Sequence, residues 1–276
     1  MNTPQQKRPR RKPAQKPIGI QRPGRKPTTT KIENKNALRF AALGGFEEIG
    51  RNMMFFEYED DILIIDLGFQ FPEEETPGID YIIPDITYLE KKKKNIKGII
   101  ITHAHLDHIG AAPYLMERLG NPLIYTTELT RQMMHRRQEE FRNAPRLKFQ
   151  IIKSGEKVTI GEHFTAKFFG VEHNIPDTVG ILLGTPVGNI LHPGEYKLDR
   201  DSKGKSKTLD TFKKIGKEDI SIMLQDSTGA TKPGYSVTEN EVIKNIEDLF
   251  KQASGRIIVG TFASLLDRLY EIIKVA

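Results

Sequence analysis

From Ala37 onward, short apolar runs alternate with turn residues at intervals that suit strands better than long helices. Leu38–Leu43, Met53–Tyr58 and Ile62–Asp66 predict three strands. The glycine-rich turn Gly44-Gly45-Phe46-Glu47-Glu48-Ile49-Gly50 joins the first two, and Asp60-Asp61 the next two, a spacing that makes a β-meander. Ile86–Glu90 running into Lys91–Lys94 predicts a helix whose basic end suits the helix dipole. Ile99–Thr102 reads as a strand, and Ile109–Leu119 as a helix stopped by Gly120-Asn121-Pro122. Leu123–Thr126 is a further strand, and Glu128–Phe141 a helix with a polar surface. Strands follow at Lys148–Ile152, Glu156–Ile160, Phe164–Phe169, Ile181–Thr185, Asn189–His192 and Ile220–Leu224. Residues 200–218 are charged and lysine-rich, and predict an excursion loop. Asn240–Phe250 and Ser264–Val275 predict helices around a strand over Arg256–Thr261. Strands and helices interleaved in this way predict a layered α/β fold.

Composition changes this picture at one end. Residues 1–36 are rich in Pro, Lys, Arg, Gln and Thr, and bury too little apolar surface to offset the entropy of ordering, so they predict a disordered tail. The tail holds eleven Lys/Arg and one acid, Glu33. Taking these from the chain totals of 42 and 36 leaves 31 bases and 35 acids, so the folded body is acidic although the whole chain is +6. Such a tail suits contact with RNA phosphates or a ribosomal surface, and equally a solubilising extension. Cysteine is absent, which excludes disulfides and thiolate metal sites. The longest apolar runs are too short to span a bilayer, and no apolar stretch follows the N-terminal charges. A cytoplasmic protein without a membrane partner is the expectation.

The chemistry concentrates in Thr102-His103-Ala104-His105-Leu106-Asp107-His108. Three imidazoles and a carboxylate within six positions are poor core material and suit a borderline ion such as Zn²⁺. A polar loop with incidental histidines is the bland alternative, and it leaves their density unexplained. Other predicted strands also end in candidate ligands, at Asp66, His173 and Glu195, with Asp226 as a fifth candidate. Asp66 closes an apolar strand, where a carboxylate needs a partner, and suits holding a ligating imidazole by its other ring nitrogen. Side chains on successive strand-end loops meet at one sheet edge, as a hydrolytic metal centre requires. His135 on a polar helix surface and His163 beside a turn are read as exposed and structural. Gly44-Gly45 lacks the strand-to-helix context of a nucleotide cradle.

The cluster completes H-x-H-x-D-H, the signature of the metallo-β-lactamase superfamily. Gly44–Asn52, Asp66-Leu67-Gly68, the His103–Tyr114 run, His173-Asn174-Ile175-Pro176-Asp177, Asp226-Ser227-Thr228 and Gly255–Ser264 together resemble the ribonuclease J family of its β-CASP group. The resemblance covers residues 38–276. It implies a metallo-β-lactamase αββα four-layer sandwich, incomplete here, with the start of an inserted β-CASP α/β domain. The implied boundaries are 1–36 for the tail, 37–238 for the metallo-β-lactamase part and 239–276 for the β-CASP beginning. It implies one zinc held by His103, His105 and His173, and a second held by Asp107 and His108, with Glu195 bridging. Asp66 would steady these ligands, Asp107 and Asp226 would share in catalysis, and Phe262, Ala263 and Ser264 would touch RNA. A zinc-dependent endonuclease and 5′→3′ exonuclease of RNA processing and decay is implied. Its substrate would be RNA with a preferred 5′-monophosphate. Ribosomal or RNA-decay proteins would be its partners, and the full-length form a homo-oligomer.

Two departures bear on these expectations. The family's bridging residue is Asp, whereas Glu195 reaches about 1.5 Å further. Asp199, four residues on, is disfavoured as a substitute because the Gly194 turn sets the register at 195. The family also carries a later histidine ligand and a His-containing 5′-phosphate loop, yet no histidine follows His192. A C-terminally truncated nuclease is expected, one that binds its second metal weakly and cuts RNA slowly. Competing readings are another metallo-β-lactamase-fold hydrolase of small substrates, and a catalytically inactive RNA-binding fragment.

Overall fold

The computed structural model describes residues 36–72, 76–201 and 203–276. The tail expected over residues 1–36 lies outside them except for its last residue. Six strands form a first sheet in chain order: β1 (Arg39–Gly44), β2 (Met53–Tyr58), β3 (Asp61–Ile65), β4 (Ile96–Ile100), β5 (Ile124–Thr126) and β6 (Phe149–Ile151). The first three make the expected antiparallel meander, and β3 through β6 run parallel. A second sheet holds β7 (Lys157–Ile160), β8 (Phe164–Gly170), β9 (Val179–Thr185), β10 (Gly188–His192) and β11 (Ile220–Met223). Its spatial order is β11-β10-β9-β8-β7, antiparallel except for the β10–β11 pair.

Every residue of β2 and β3 is buried, because both faces of the first sheet are covered. Met54, Phe56, Leu63 and Ile65 pack toward the second sheet, where Phe164, Phe168 and Ile181 meet them. The alternate residues Met53, Phe55, Ile62 and Ile64 pack with α1 (Thr87–Lys91), α2 (Leu106–Ile109), α3 (Ala112–Leu115) and α4 (Glu128–Glu139). On the far side of the second sheet, Phe169, Leu182 and Leu191 pack with α5 (Lys207–Ile215). Helix, sheet, sheet and helix are therefore stacked as four layers. Each fully buried aromatic between the sheets contributes about 1.5–3 kcal/mol of burial free energy. No helix among the described residues is long and apolar enough to cross a membrane.

Four expectations change. The helix over Ile109–Leu119 is instead two short turns, α2 and α3, and α2 starts inside the histidine cluster. Ala111 N–H donates to Leu67 O at 2.9 Å, outside the helical ladder, and Gly110 passes so near Phe69 that a Cβ would lie 1.9 Å from its ring. The helix over Ile86–Lys94 shortens to α1, followed by a 3₁₀ turn at Lys93–Asn95. The loop over 200–218 contains α5, capped by Ser206 and seated by buried Thr208 and Ile215. Its exposed lysines masked that amphipathic period. Arg256–Thr261 joins no ladder, and Ile258 is 91% exposed; a strand needs a neighbouring edge, and none lies beside it among the described residues. The flanking helices do form, as α6 (Glu239–Gln252), with a capping box at Thr238 and Glu241, and α7 (Leu266–Val275). Arg268 clasps Glu239 at 2.9 and 3.0 Å to join them.

Candidate metal centre

The predicted residues sit just past the C-terminal ends of β3, β4, β8 and β10. Asp66 follows β3 with φ 61°, a left-handed conformation held by its N–H bond to Ile100 O at 2.9 Å. The chain after β4 is extended through His105, which precedes the first turn of α2, so Asp107 and His108 project from a helical start. Glu195 follows Pro193-Gly194; Gly194 has φ 69°, and a Cβ there would lie 2.8 Å from Val179 O, so only glycine makes this turn without strain.

Two donor groups result. His103, His105, His173 and Glu195 form one, and Asp107, His108 and Glu195 the other, each with donor atoms within 4.8 Å of one another. In the first, His105 Nδ1 lies 3.0 Å from His103 Nε2 and 3.2 Å from His173 Nε2. Glu195 Oε2 lies 3.2 Å from His173 Nε2 and 3.6 Å from His103 Nε2. A tetrahedral ion with bonds of about 2.0–2.1 Å separates its ligands by about 3.3–3.4 Å, so these spacings fit. In the second, Glu195 Oε1 lies 3.0 Å from His108 Nε2, and Asp107 Oδ2 lies 3.5 Å from the same atom. The two oxygens of Glu195 thus face different groups. Its extra methylene is accommodated, and Asp199 is engaged elsewhere, accepting from Glu239 N–H at 3.1 Å.

The ring orientations follow from Asp66. Its buried carboxylate takes Thr102 N–H at 2.8 Å, Thr102 O–H at 2.9 Å and His108 Nδ1–H at 2.8 Å. With its one proton given to Asp66, the Thr102 hydroxyl accepts from His103 Nδ1–H at 3.0 Å. Both rings then aim Nε2 at the donor groups. Sequence reasoning found Asp66 but not Thr102, whose only signal is its place between strand β4 and His103.

Electrostatics differ between the groups. Burial, then the charge on His108, pushes the His103 pKa well below its ordinary value, and burial with His173 brings His105 down to about 4. Their lone pairs are free for a cation. Burial works against charge on His108, yet Asp66 and Glu195 beside it raise its pKa well above the usual value. Burial likewise opposes the Glu195 carboxylate, but the imidazoles of His103, His108 and His173 around it hold its pKa far below the normal carboxylate range. Burial raises the Asp107 carboxyl.

A cleft of about 490 Å³ opens onto the second group, lined by the Gly45–Gly50 turn, Asn52, Asp107, His108, Glu195 and Asp226. Asp226 borders the cleft but belongs to neither donor group, and it accepts Thr228 N–H at 2.8 Å. Phe262, Ala263 and Ser264 do not line it, and Phe262 is 78% exposed. His192, also in the cleft lining, accepts Gly194 N–H at 3.2 Å. His135 is exposed, and His163 binds Asp61 at 3.0 Å, as a structural residue would.

Residues 47–223 match the family model described as "Metallo-beta-lactamase superfamily". The chain is 36% identical over 241 residues to "Ribonuclease J" of Synechocystis sp., an alignment covering 87% of this chain and 38% of that protein. It is 37% identical over 240 residues to "Ribonuclease J" of Mycobacterium tuberculosis, covering 87% of this chain and 42% of that one. "Ribonuclease J" of Thermus thermophilus is 36% identical over 240 residues, covering 85% and 42%. The chain therefore spans about two-fifths of the length of these curated relatives. Among solved structures, a protein of unknown function from Enterococcus faecalis V583 superposes with a TM-score of 0.65 at 17% identity, covering 85% of this chain and 62% of that one, a likeness of fold.

Proposed function

Because the chain belongs to the metallo-β-lactamase superfamily and, within it, to the ribonuclease J family, we propose that it carries the metal centre of a two-zinc ribonuclease. The superfamily's fold implies a divalent metal, and the donor chemistry accommodates one at the three-histidine group and a second beside Asp107 and His108. The observation that carries the reading is Glu195, whose two oxygens face the two groups separately. When bound, such a metal pair activates water and neutralises charge on a phosphoryl oxygen. The chain's own residues set that up. Thr102 and Asp66 keep His103 and His108 in the tautomers that present Nε2. Asp107, which lines the cleft beside His108, is the carboxylate placed to orient an attacking water there.

The substrate is RNA, with the 5′-monophosphate preference and the combined endonuclease and 5′→3′ exonuclease modes the resemblance implies. Residues 239–276 would begin the β-CASP segment, and Phe262–Ser264 and Asp226 would meet RNA once that segment is assembled. A cytoplasmic setting, decay or ribosomal partners and a homo-oligomer belong to the same proposal. The test incubates the chelator-stripped chain with a 5′-labelled RNA and with a chromogenic β-lactam, each with and without zinc. Slow, zinc-dependent RNA cleavage without lactam turnover is expected. Lactam turnover alone would transfer the chain to the small-substrate hydrolases, and RNA retention without any cleavage would make it a binding fragment.

A further inference from the structure

A second cavity, of about 530 Å³, shares no lining residue with the cleft. The start of α4, the end of β6, the loop after β8 and one side of α5 enclose it. It therefore lies on the β6 side of the first sheet, whereas the cleft lies by the ends of β1 and β11. Three hydrogen bonds brace its walls to one another. Thr127 O–H donates to Asp177 O at 3.1 Å, Gly170 N–H to Ser154 Oγ at 2.8 Å and Glu172 N–H to Thr208 Oγ1 at 2.9 Å. The space is thus fixed between elements of the fold.

Its lining is graded. Ile152, Thr178, Val179 and Thr208 are buried and form an apolar, hydroxyl-bearing floor, while Lys153 and Lys207 are exposed at the rim. Glu128, also in the lining, is already taken by Arg131 at 2.6 Å. Among the described residues neither lysine meets a carboxylate, and no donor reaches the Asp177 carboxylate. A ligand that uses all of this needs a flat body for the floor, hydroxyls for a carboxylate and an anion for two ammonium groups. A nucleoside 5′-monophosphate has all three, because carboxylates take ribose hydroxyls and lysines take phosphate. A bare anion would leave the floor unused and face Asp177 and Glu172. The cavity also adjoins the metal centre: Glu172 and Asp177 flank His173 in the same loop, and Glu172 O accepts Lys197 N–H at 2.7 Å, two residues beyond Glu195.

We propose that this cavity binds a nucleoside 5′-monophosphate, with Lys153 and Lys207 on the phosphate and Asp177 on the ribose. The source of that ligand rests on the RNA reading above, since 5′→3′ cleavage of RNA releases mononucleotides. The cavity is then a product site whose occupancy reaches the metal centre through the His173 loop.

Calorimetric titration of AMP into the chelator-stripped full chain tests this, with adenosine and inorganic phosphate as separate probes. Stripping removes metal as a competing phosphate ligand. One AMP should bind per chain, with adenosine and phosphate each at least about tenfold weaker. Lys153→Ala combined with Lys207→Ala should weaken AMP by at least about tenfold, and arginine at both positions should restore it. Thr211→Trp, which fills the cavity from the side of α5, should abolish binding while the unfolding midpoint stays near that of the parent. No AMP binding at about 1 mM overturns the proposal. So does binding that survives both the double alanine variant and Thr211→Trp, or phosphate that binds as tightly as AMP. No cleavage is read in this titration, so its failure leaves the nuclease reading standing, and a chain that binds AMP without cutting RNA loses that reading alone.

Discussion

The two donor groups share Glu195 but are built on opposite principles. The first is three imidazoles at the sheet edge, with His103 fully buried and His105 already neutral at ordinary pH. The second is an oxygen-rich group beside the cleft, where His108 sits between Asp66 and Glu195 and holds its proton strongly. One is ready to receive a cation; the other must first release a proton. A shared carboxylate is what makes two such different places a single centre.

The strongest way to break that comparison is to remove what they share. Glu195→Ala should weaken both zinc steps by at least about a hundredfold, since a direct donor is lost from each group, and calorimetric titration reads both. Loss at one step alone would show that Glu195 does not bridge. Asp66→Asn separates the groups by a smaller effect. It should cost about ten- to hundredfold at the second step, through His108, and less at the first, which Asp66 reaches only through Thr102. Equal losses at both steps would argue that Asp66 supports the local fold and not a ring.

Acidification sharpens the contrast further. The folded-state pKa of His108 is raised, so its proton persists as pH increases, and zinc at the second position must displace it. Affinity there should fall about tenfold for each pH unit below that raised pKa. His105, titrating at about 4, offers no such competition above about pH 5. Zinc retention followed between pH 7 and 5.5 should therefore show the second step weakening before the first. The smallest effect belongs to Thr102→Val, which removes the link from Asp66 to His103 and should weaken the first step a few-fold, about 1 kcal/mol.

How much of this the sequence revealed depended on the residue type involved. His103, His105, Asp107 and His108 were legible because ligands so dense have few other uses, and His173 and Glu195 because each follows a strand end. Thr102 was not, since hydroxyls occur in every turn and only its three-dimensional partners mark it out. Among the elements, the β-meander followed from simple alternation. The helix expected after the cluster was split by a tertiary bond, Ala111 N–H to Leu67 O, which no periodicity records. Helix α5 was hidden because Thr208 supports it from a buried position while lysines dominate its composition.

Anomalous diffraction at the zinc edge, from crystals of the chain grown with zinc, tests the shared centre most directly. Two peaks are predicted, one among His103, His105 and His173 and one beside Asp107 and His108, with Glu195 between them. No peak among these residues, or a single peak that leaves Asp107 and His108 without a metal at saturating zinc, would contradict it.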